Sequence, residues 1–237
     1  MPLLEAVFQN PLDAAFWSGL ASIILIDLVL AGDNAIVIAL AARNLPHHHQ
    51  FRAIFWGTFG AIVVRVAMTA GVIWLLKIPA LMLVGGVVLI PIAIRLLLQD
   101  AHGQGPSHPM RRANDFWSAI GTIMAADALM GLDNVLGIAG ASGGHLGLVV
   151  LGLLISVPLV VWGSTVLLKL IERYPIIIYL GAAAIAWTAA RMVTRDHLVE
   201  AWFDAHDASR YAVDAALVIG VTGFGWWTRR RKRAARR

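Results

Sequence analysis

Cysteine is absent from the 237 residues, so disulfides and thiolate metal sites are both excluded. Charge is scarce as well: Asp, Glu, Lys and Arg make up 14% of the chain, where an average soluble domain carries about 25%. Most of that charge falls between apolar stretches rather than within them. The strict alternation of apolar and polar residues that marks membrane β-strands is missing, because the apolar runs are continuous. No G-x₄-G-K-[ST] motif occurs, so the sequence offers no nucleotide-binding loop of its own. The opening Met-Pro-Leu-Leu-Glu lacks a basic stretch, and the apolar run from Phe16 to about Ala42 is too long for a signal peptide, so no cleavable signal is expected.

What is abundant is apolar residues, at 59% against about 45–50% in soluble domains. Lipid is therefore the expected solvent, and size sets a number of spans rather than of globular domains. A span takes about 20 mainly apolar residues. Candidates lie at roughly 16–42, 53–76, 78–98, 116–140, 145–170, 174–194 and 211–228, separated by turn signals such as Asn44-Leu45-Pro46 and Ser142-Gly143-Gly144. The expected fold class is all-α, a polytopic membrane protein with seven transmembrane helices.

The sequence pI of about 10.2 owes much to a tail, Arg229, Arg230, Arg231, Lys232, Arg233, Arg236 and Arg237, directly after the last apolar run. A basic cluster there reads as a cytoplasmic anchor rather than a nucleic-acid surface. With seven spans the N-terminus, with Glu5 and Asp13, then lies outside. Arg43, Arg52, Arg95, Arg111, Arg112, Lys169 and Arg173 fall inside, in keeping with the excess of positive charge in cytoplasmic loops.

The chain also repeats itself. At an offset of 100, Trp17-Ser18 meets Trp117-Ser118, Asp27 meets Asp127, Asp33-Asn34 meets Asp133-Asn134, and Ile38-Ala39 meets Ile138-Ala139. At an offset of 96, Pro79, Gly85 and Arg95 match Pro175, Gly181 and Arg191. Each copy holds three spans, an odd number, so the second should sit upside down, giving a 3+3 inverted repeat plus one C-terminal helix. The expected organisation is residues 1–100 as the first three-helix repeat, 101–115 as a cytoplasmic linker and 116–194 as the second repeat. Residues 195–210 come next as an outer interfacial segment, and 211–237 as the seventh helix with its basic tail. In the outer segment Asp196, Glu200, Asp204 and Asp207 fall on one helical stripe, opposite Val199, Trp202, Phe203 and His206, a pattern that fits an interfacial helix with solvated acids.

Each copy carries two aspartates and an asparagine inside an apolar run. An ionised residue at that depth costs about 2.5–3.5 kcal/mol, so four aspartates need compensation. In a regular helix the six-residue step from Asp27 to Asp33 turns about 240°, whereas Asp27 and Asn34 share a face. Gly32 and Gly131-Leu132 precede the Asp-Asn pairs, and local unwinding there would turn Asp33 and Asp133 inward and free backbone carbonyls. If the copies face each other, Asp27, Asp33, Asn34, Asp127, Asp133 and Asn134 form a set of hard oxygen donors suited to Mg²⁺, Ca²⁺ or Mn²⁺. Four carboxylates exceed the charge of one divalent ion, which calls for shared protons, a second metal or a nearby cation. Arg65, alone in mid-span, is the candidate counter-charge; its equivalent in the other copy is Thr165.

Other readings use the same residues. Buried Asp and Asn can serve only as interhelical hydrogen-bond glue, and Met124 and Met130, which flank Asp127, can be packing rather than soft ligands. His47, His48 and His49 read as a solvated loop or as a metal-collecting run, and Asp214 has no assigned role.

The segments DLVLAGDNAIVIAL and DALMGLDNVLGIAG resemble the paired acid-x₅-Asp-Asn motifs of the TerC family of bacterial membrane proteins, in the LysE-like exporter group. The likeness is closest to its smaller members, often found beside manganese-responsive riboswitches. Other branches carry Glu where this chain has Asp27 and Asp127. The resemblance implies a non-enzymatic Mn²⁺ exporter of the bacterial cytoplasmic (inner) membrane, with those six residues as the metal site. Alternatives are a membrane partner that hands metal to secreted enzymes, a Ca²⁺/H⁺ exchanger and, more remotely, an intramembrane aspartyl hydrolase. The expected partners are a divalent metal ion as substrate and membrane lipid, with no nucleic acid and no resident cofactor.

Overall fold

The computed structural model describes residues 14–75, 77–98 and 109–234. Glu5, Asp13, Arg236, Arg237 and most of the expected linker lie outside the described residues. The described chain is all-helical: α1 (Ala14–Ala42), α2 (His47–Ala70), α3 (Val72–Leu75), α4 (Leu81–Leu98), α5 (Pro109–Met130), α6 (Leu132–Ala141), α7 (Leu146–Arg173), α8 (Ile176–Thr194), α9 (Glu200–Asp204) and α10 (Asp207–Ala234). Helix is the form an apolar segment takes in lipid, since every backbone donor and acceptor must find its partner within the segment.

Four of these helices, α2, α4, α7 and α8, are long and apolar enough to cross a membrane. Two bent stretches raise the number to six if each is one span. One is α1, which turns by 51° between Phe16–Val29 and Gly32–Ala42; the other joins α5 to α6, turning by 67° between Asp115–Met130 and Asn134–Ala141. Both bends fall where a glycine precedes an Asp-Asn pair. At the second, the Gly131 N–H still donates to the Asp127 carbonyl at 2.7 Å. A Cβ on Gly131 would sit 2.6 Å from that same oxygen, so the tight turn has room only for glycine. A helix also forms where the seventh span was expected, but α10 is not among the helices that reach the same apolarity. It carries Asp214 and ends in the basic tail.

The strongest helix pairings are reciprocal between the two sequence copies. α1 packs along α7, α2 along α5, and α4 along α8, while α10 lies against α8 and α4. Exchanging the copies maps the first pairing onto the second and the third onto itself. α4 and α8 run antiparallel: Gly86, near the start of α4, lies so close to α8 that a Cβ there would meet the Ala189 carbonyl oxygen at 2.6 Å, near the end of α8. Small residues permit this approach, the usual way for helices to pack in lipid. α2 and α7 are antiparallel too, with His47 at the start of one 4.0 Å from Glu172 near the end of the other.

Ile23, Leu40, Ile54, Leu89, Ile123, Leu153 and Ile185 fill the interior. The outer surface is also apolar, with Trp17, Trp74, Trp117, Trp162 and Trp187 among the exposed side chains. Such a surface suits lipid and not water. Arg231 lies 3.9 Å from the Trp227 ring and Lys77 5.3 Å from that of Trp74, cation–aromatic pairs of the kind that settle at membrane interfaces.

Residues 109–115 are helical, because α5 already starts at Pro109, a residue whose fixed φ and missing N–H suit the first helical position. The 195–210 segment is not one helix with a solvated acidic stripe. It holds only the short α9 before α10 begins, and Asp196 is buried. Its Oδ2 accepts from the N–H of Leu83 at 3.0 Å and its Oδ1 from that of Leu198 at 3.0 Å. Leu83 is the third residue of α4, where N–H groups lack an intrahelical partner. Ala80, just before that helix, has no side-chain oxygen and a φ of 59°, so the cap comes from across the fold. Replacing Asp196 by Ala should lower stability by about 1–2 kcal/mol, read as a fall in thermal midpoint in detergent, with Asn retaining part of it. An unchanged midpoint for Ala would remove the capping role.

Candidate functional site

The bend in α1 and the break between α5 and α6 bring polar residues into the middle of the bundle. Arg65 of α2 stands between Asp27 of α1 and Asp127 of α5. Its Nη1 donates to Asp27 Oδ1 and its Nη2 to Asp127 Oδ1, the latter at 2.6 Å. The second oxygen of Asp27 accepts from the Ser156 hydroxyl of α7. All four residues are buried, Arg65 at 5% exposure and Asp127 at 8%. One guanidinium thus links a carboxylate from each sequence copy.

Beside this bridge lies a cavity of about 20 Å³ lined by Asp27, Asn34, Thr58, Arg65, Asp127 and Ser156 on its polar side. Its size admits about one water or one bare ion. Three of its buried polar atoms have no hydrogen-bond partner: Asn34 Oδ1, Thr58 Oγ1 and Arg65 Nε. Two are oxygens that can accept, and buried acceptors without partners are rare enough to call for a ligand. The fit for a hard cation is therefore chemical: two carboxylates, an amide oxygen and two hydroxyls, on four helices.

The six sequence-derived ligands do not all meet there. Asp27, Asp127 and Asn34 line the cavity. Asp33 is half-buried and faces elsewhere; its Oδ1 accepts from the Asn34 N–H at 2.9 Å, and its Oδ2 lies 3.4 Å from the Thr188 hydroxyl of α8. Asn134 is buried on α6 but is not among the residues lining the cavity. The side chain of Asp133 lies outside the described residues. Among the described residues, no three His, Asp or Glu side chains gather closely enough to hold a metal unaided. Met124 packs against Gly60 and Met130 sits in the apolar core, so both belong to packing.

Sequence reasoning missed Ser156, Thr58 and Thr188. Neither Ser156 nor Thr58 is duplicated: the equivalent positions at an offset of 100 hold Trp56 and Pro158. A lone hydroxyl in an otherwise apolar run was the only available clue.

On α2, Gln50, Ile54, Thr58, Ala61 and Arg65 lie along one helical stripe; its first two residues line a second cavity of about 240 Å³ with Thr165, Lys169 and Glu172 of α7, and its last three line the first. His47 opens this cavity, 3.3 Å from the Gln50 Oε1.

The sequence profile described as "Integral membrane protein TerC family" matches residues 12–233. The chain belongs to the TerC family. This TerC protein is 40% identical over 181 residues to the "Uncharacterized membrane protein YjbE" of Bacillus subtilis, an alignment covering 76% of this chain and 81% of YjbE. It is 28% identical over 184 residues to the "UPF0053 protein YegH" of Escherichia coli, covering 71% of this chain and 35% of YegH. To the "Uncharacterized membrane protein YkoY" of Bacillus subtilis it is 21% identical over 220 residues, covering 84% and 68%. No solved structure matches.

In this TerC protein the Asp27–Arg65–Asp127 bridge should be worth far more than an exposed ion pair. Removing the cation leaves two buried carboxylates without compensation, a loss of about 3–5 kcal/mol. Arg65→Ala should therefore unfold much earlier than wild type in detergent with EDTA, and adding Asp27→Asn and Asp127→Asn should restore most of the difference. Equal midpoints for Arg65→Ala and wild type would show that the bridge carries little.

Proposed function

We propose that this protein exports a divalent cation, Mn²⁺, from the cytoplasm by alternating access at the Asp27–Asp127 cavity. The observation that carries this reading is the meeting of carboxylates from both sequence copies at one lipid-shielded cavity whose buried oxygens lack partners. The donors are oxygen, as a hard or borderline cation requires. Asp27, Asn34 and Asp127 form the core of the site, with Thr58 and Ser156 beside them. Asn134, beyond the α5–α6 break, joins it as the broken helices reorient, while Asp33 stays turned toward Thr188 of α8.

The antiparallel pairing of equivalent helices supports an inverted repeat, in which rocking of one copy against the other opens the site to either side. The protein sits in the bacterial cytoplasmic membrane, with its N-terminus outside and its basic tail in the cytoplasm. Moving two positive charges out against 100 mV costs about 4.6 kcal/mol. A metal gradient or an inward proton flow must supply that energy, and the clustered carboxylates suit exchange of protons for metal.

The test is flux of ⁵⁴Mn²⁺ through proteoliposomes containing only this protein, with Ca²⁺, Mg²⁺ and Zn²⁺ as competitors. Wild type should carry Mn²⁺, and Asp127→Asn should lower the rate at least tenfold. Binding without flux in wild type would replace export with a role in handing metal to another protein; preference for Ca²⁺ would make the chain a Ca²⁺ exchanger. Equal flux through Asp127→Asn would remove the assigned site.

A further inference from the structure

The central bridge raises a problem for any ion that is to bind there. The oxygens best placed to hold it already have a cation, the Arg65 guanidinium, on them. Among the described residues Arg65 is the only buried Lys or Arg. The adjoining cavity is about 20 Å³, so a metal that reached the two carboxylates would lie against the guanidinium.

Charge balance separates the two cations. Two carboxylates carry two negative charges, which a divalent ion neutralises completely. With Arg65 alone the cluster keeps one negative charge; with both cations it holds one positive charge and a close repulsion in a medium that screens poorly. Metal and guanidinium are therefore alternatives on the same oxygens.

We propose that Arg65 is a tethered counter-cation. It holds Asp27 and Asp127 while the carrier is empty, leaves them when the metal binds, and returns when the metal departs. The empty carrier then never reorients with two bare carboxylates in the membrane, a state with a large desolvation cost. This inference rests on the transport reading above and says how that site is reset.

The local structure suits such an exchange. The guanidinium makes two charged contacts, and its Nε is buried without a partner, so it is held by charge rather than by a complete set of hydrogen bonds. Its side chain passes beside Gly131, with the position of a Cβ there 3.5 Å from Nε, at the break between α5 and α6. Asn34 Oδ1 and Thr58 Oγ1, also without partners, remain on the cavity wall as acceptors for the metal. The other copy has Thr165 at the equivalent position, so the repeat supplies this cation once.

The experiment compares wild type, Arg65→Lys and Arg65→Gln in Mn²⁺ affinity, in net ⁵⁴Mn²⁺ flux, and in exchange of ⁵⁴Mn²⁺ for unlabelled Mn²⁺ on the far side. Exchange uses only the loaded carrier; net flux also needs the empty one to return. Removing the competitor should tighten Mn²⁺ binding at least tenfold in Arg65→Gln. Net flux should fall at least tenfold while exchange stays within about threefold of wild type. Arg65→Lys, with a compact charge that cannot fork between two carboxylates, should fall between. Arg65→Gln should also gain more thermal stability from Mn²⁺ than wild type does. If it is obtained in neither the presence nor the absence of Mn²⁺, Arg65→Lys decides: tighter binding supports the proposal, unchanged or weaker binding overturns it. Loss of exchange and net flux in equal proportion would also overturn it, assigning Arg65 a structural role. Absence of flux in wild type would defeat the transport reading itself, a result distinct from normal wild-type transport with normal net flux in Arg65→Gln.

Discussion

Two carboxylates shut away from water inside a lipid-facing bundle must have positive charge beside them. The rest of this structure is arranged around that requirement. Asp27 and Asp127 stand on helices from different sequence copies, and Arg65 reaches both from a third helix. Surface pairs of this kind contribute little. Here the low dielectric makes the pairing strong and makes its loss expensive. The same constraint explains why such residues are tolerable in a membrane core: charge is admitted only where an opposite charge is supplied.

The helices that carry the two carboxylates are the bent ones. Bending by 51° and 67° at the glycines before the Asp-Asn pairs turns each motif into a junction, with the first acid before the bend and the Asp-Asn pair after it. In α1 this leaves Asp27 and Asn34 on the cavity and Asp33 toward Thr188 of α8. The site is thereby linked to the α4–α8 pair as well as to the four helices that form it. A movement of α8 would be felt at Asp33, which is the coupling that the proposed alternating access needs.

Much of this was legible in the sequence, for a physical reason. Continuous apolar runs allow few structures in lipid, so all-helical architecture and most helix positions could be read from composition and turn residues. Asp27, Asp127, Asn34 and Arg65 could be singled out because polar residues at that depth are costly. Apart from Arg65, their duplication at a constant offset also separates them from chance. The hydroxyls of Ser156 and Thr58 could not be found that way, because they are cheap to bury and their equivalents are Trp56 and Pro158. Asp196 was misread because its partner, the Leu83 N–H, lies 113 residues away along the chain. A helical stripe relates only neighbours in sequence, whereas this carboxylate is fixed by the start of a distant helix. Asp33 shows a different limit: it faces Thr188, where the 240° step of a regular helix puts it, so the bend before it does not turn it inward as expected.

Metal binding by the buried carboxylates is the central claim. Mn²⁺ is paramagnetic, and its six-line spectrum in solution broadens on binding, so titration of the purified protein monitored by electron paramagnetic resonance reads occupancy without any transport. Wild type should take up about one Mn²⁺ per chain at the central site, and Asp27→Asn should weaken that binding at least tenfold while its thermal midpoint in the absence of metal shows the fold retained. Equal Mn²⁺ affinity in a folded Asp27→Asn protein would contradict the central claim.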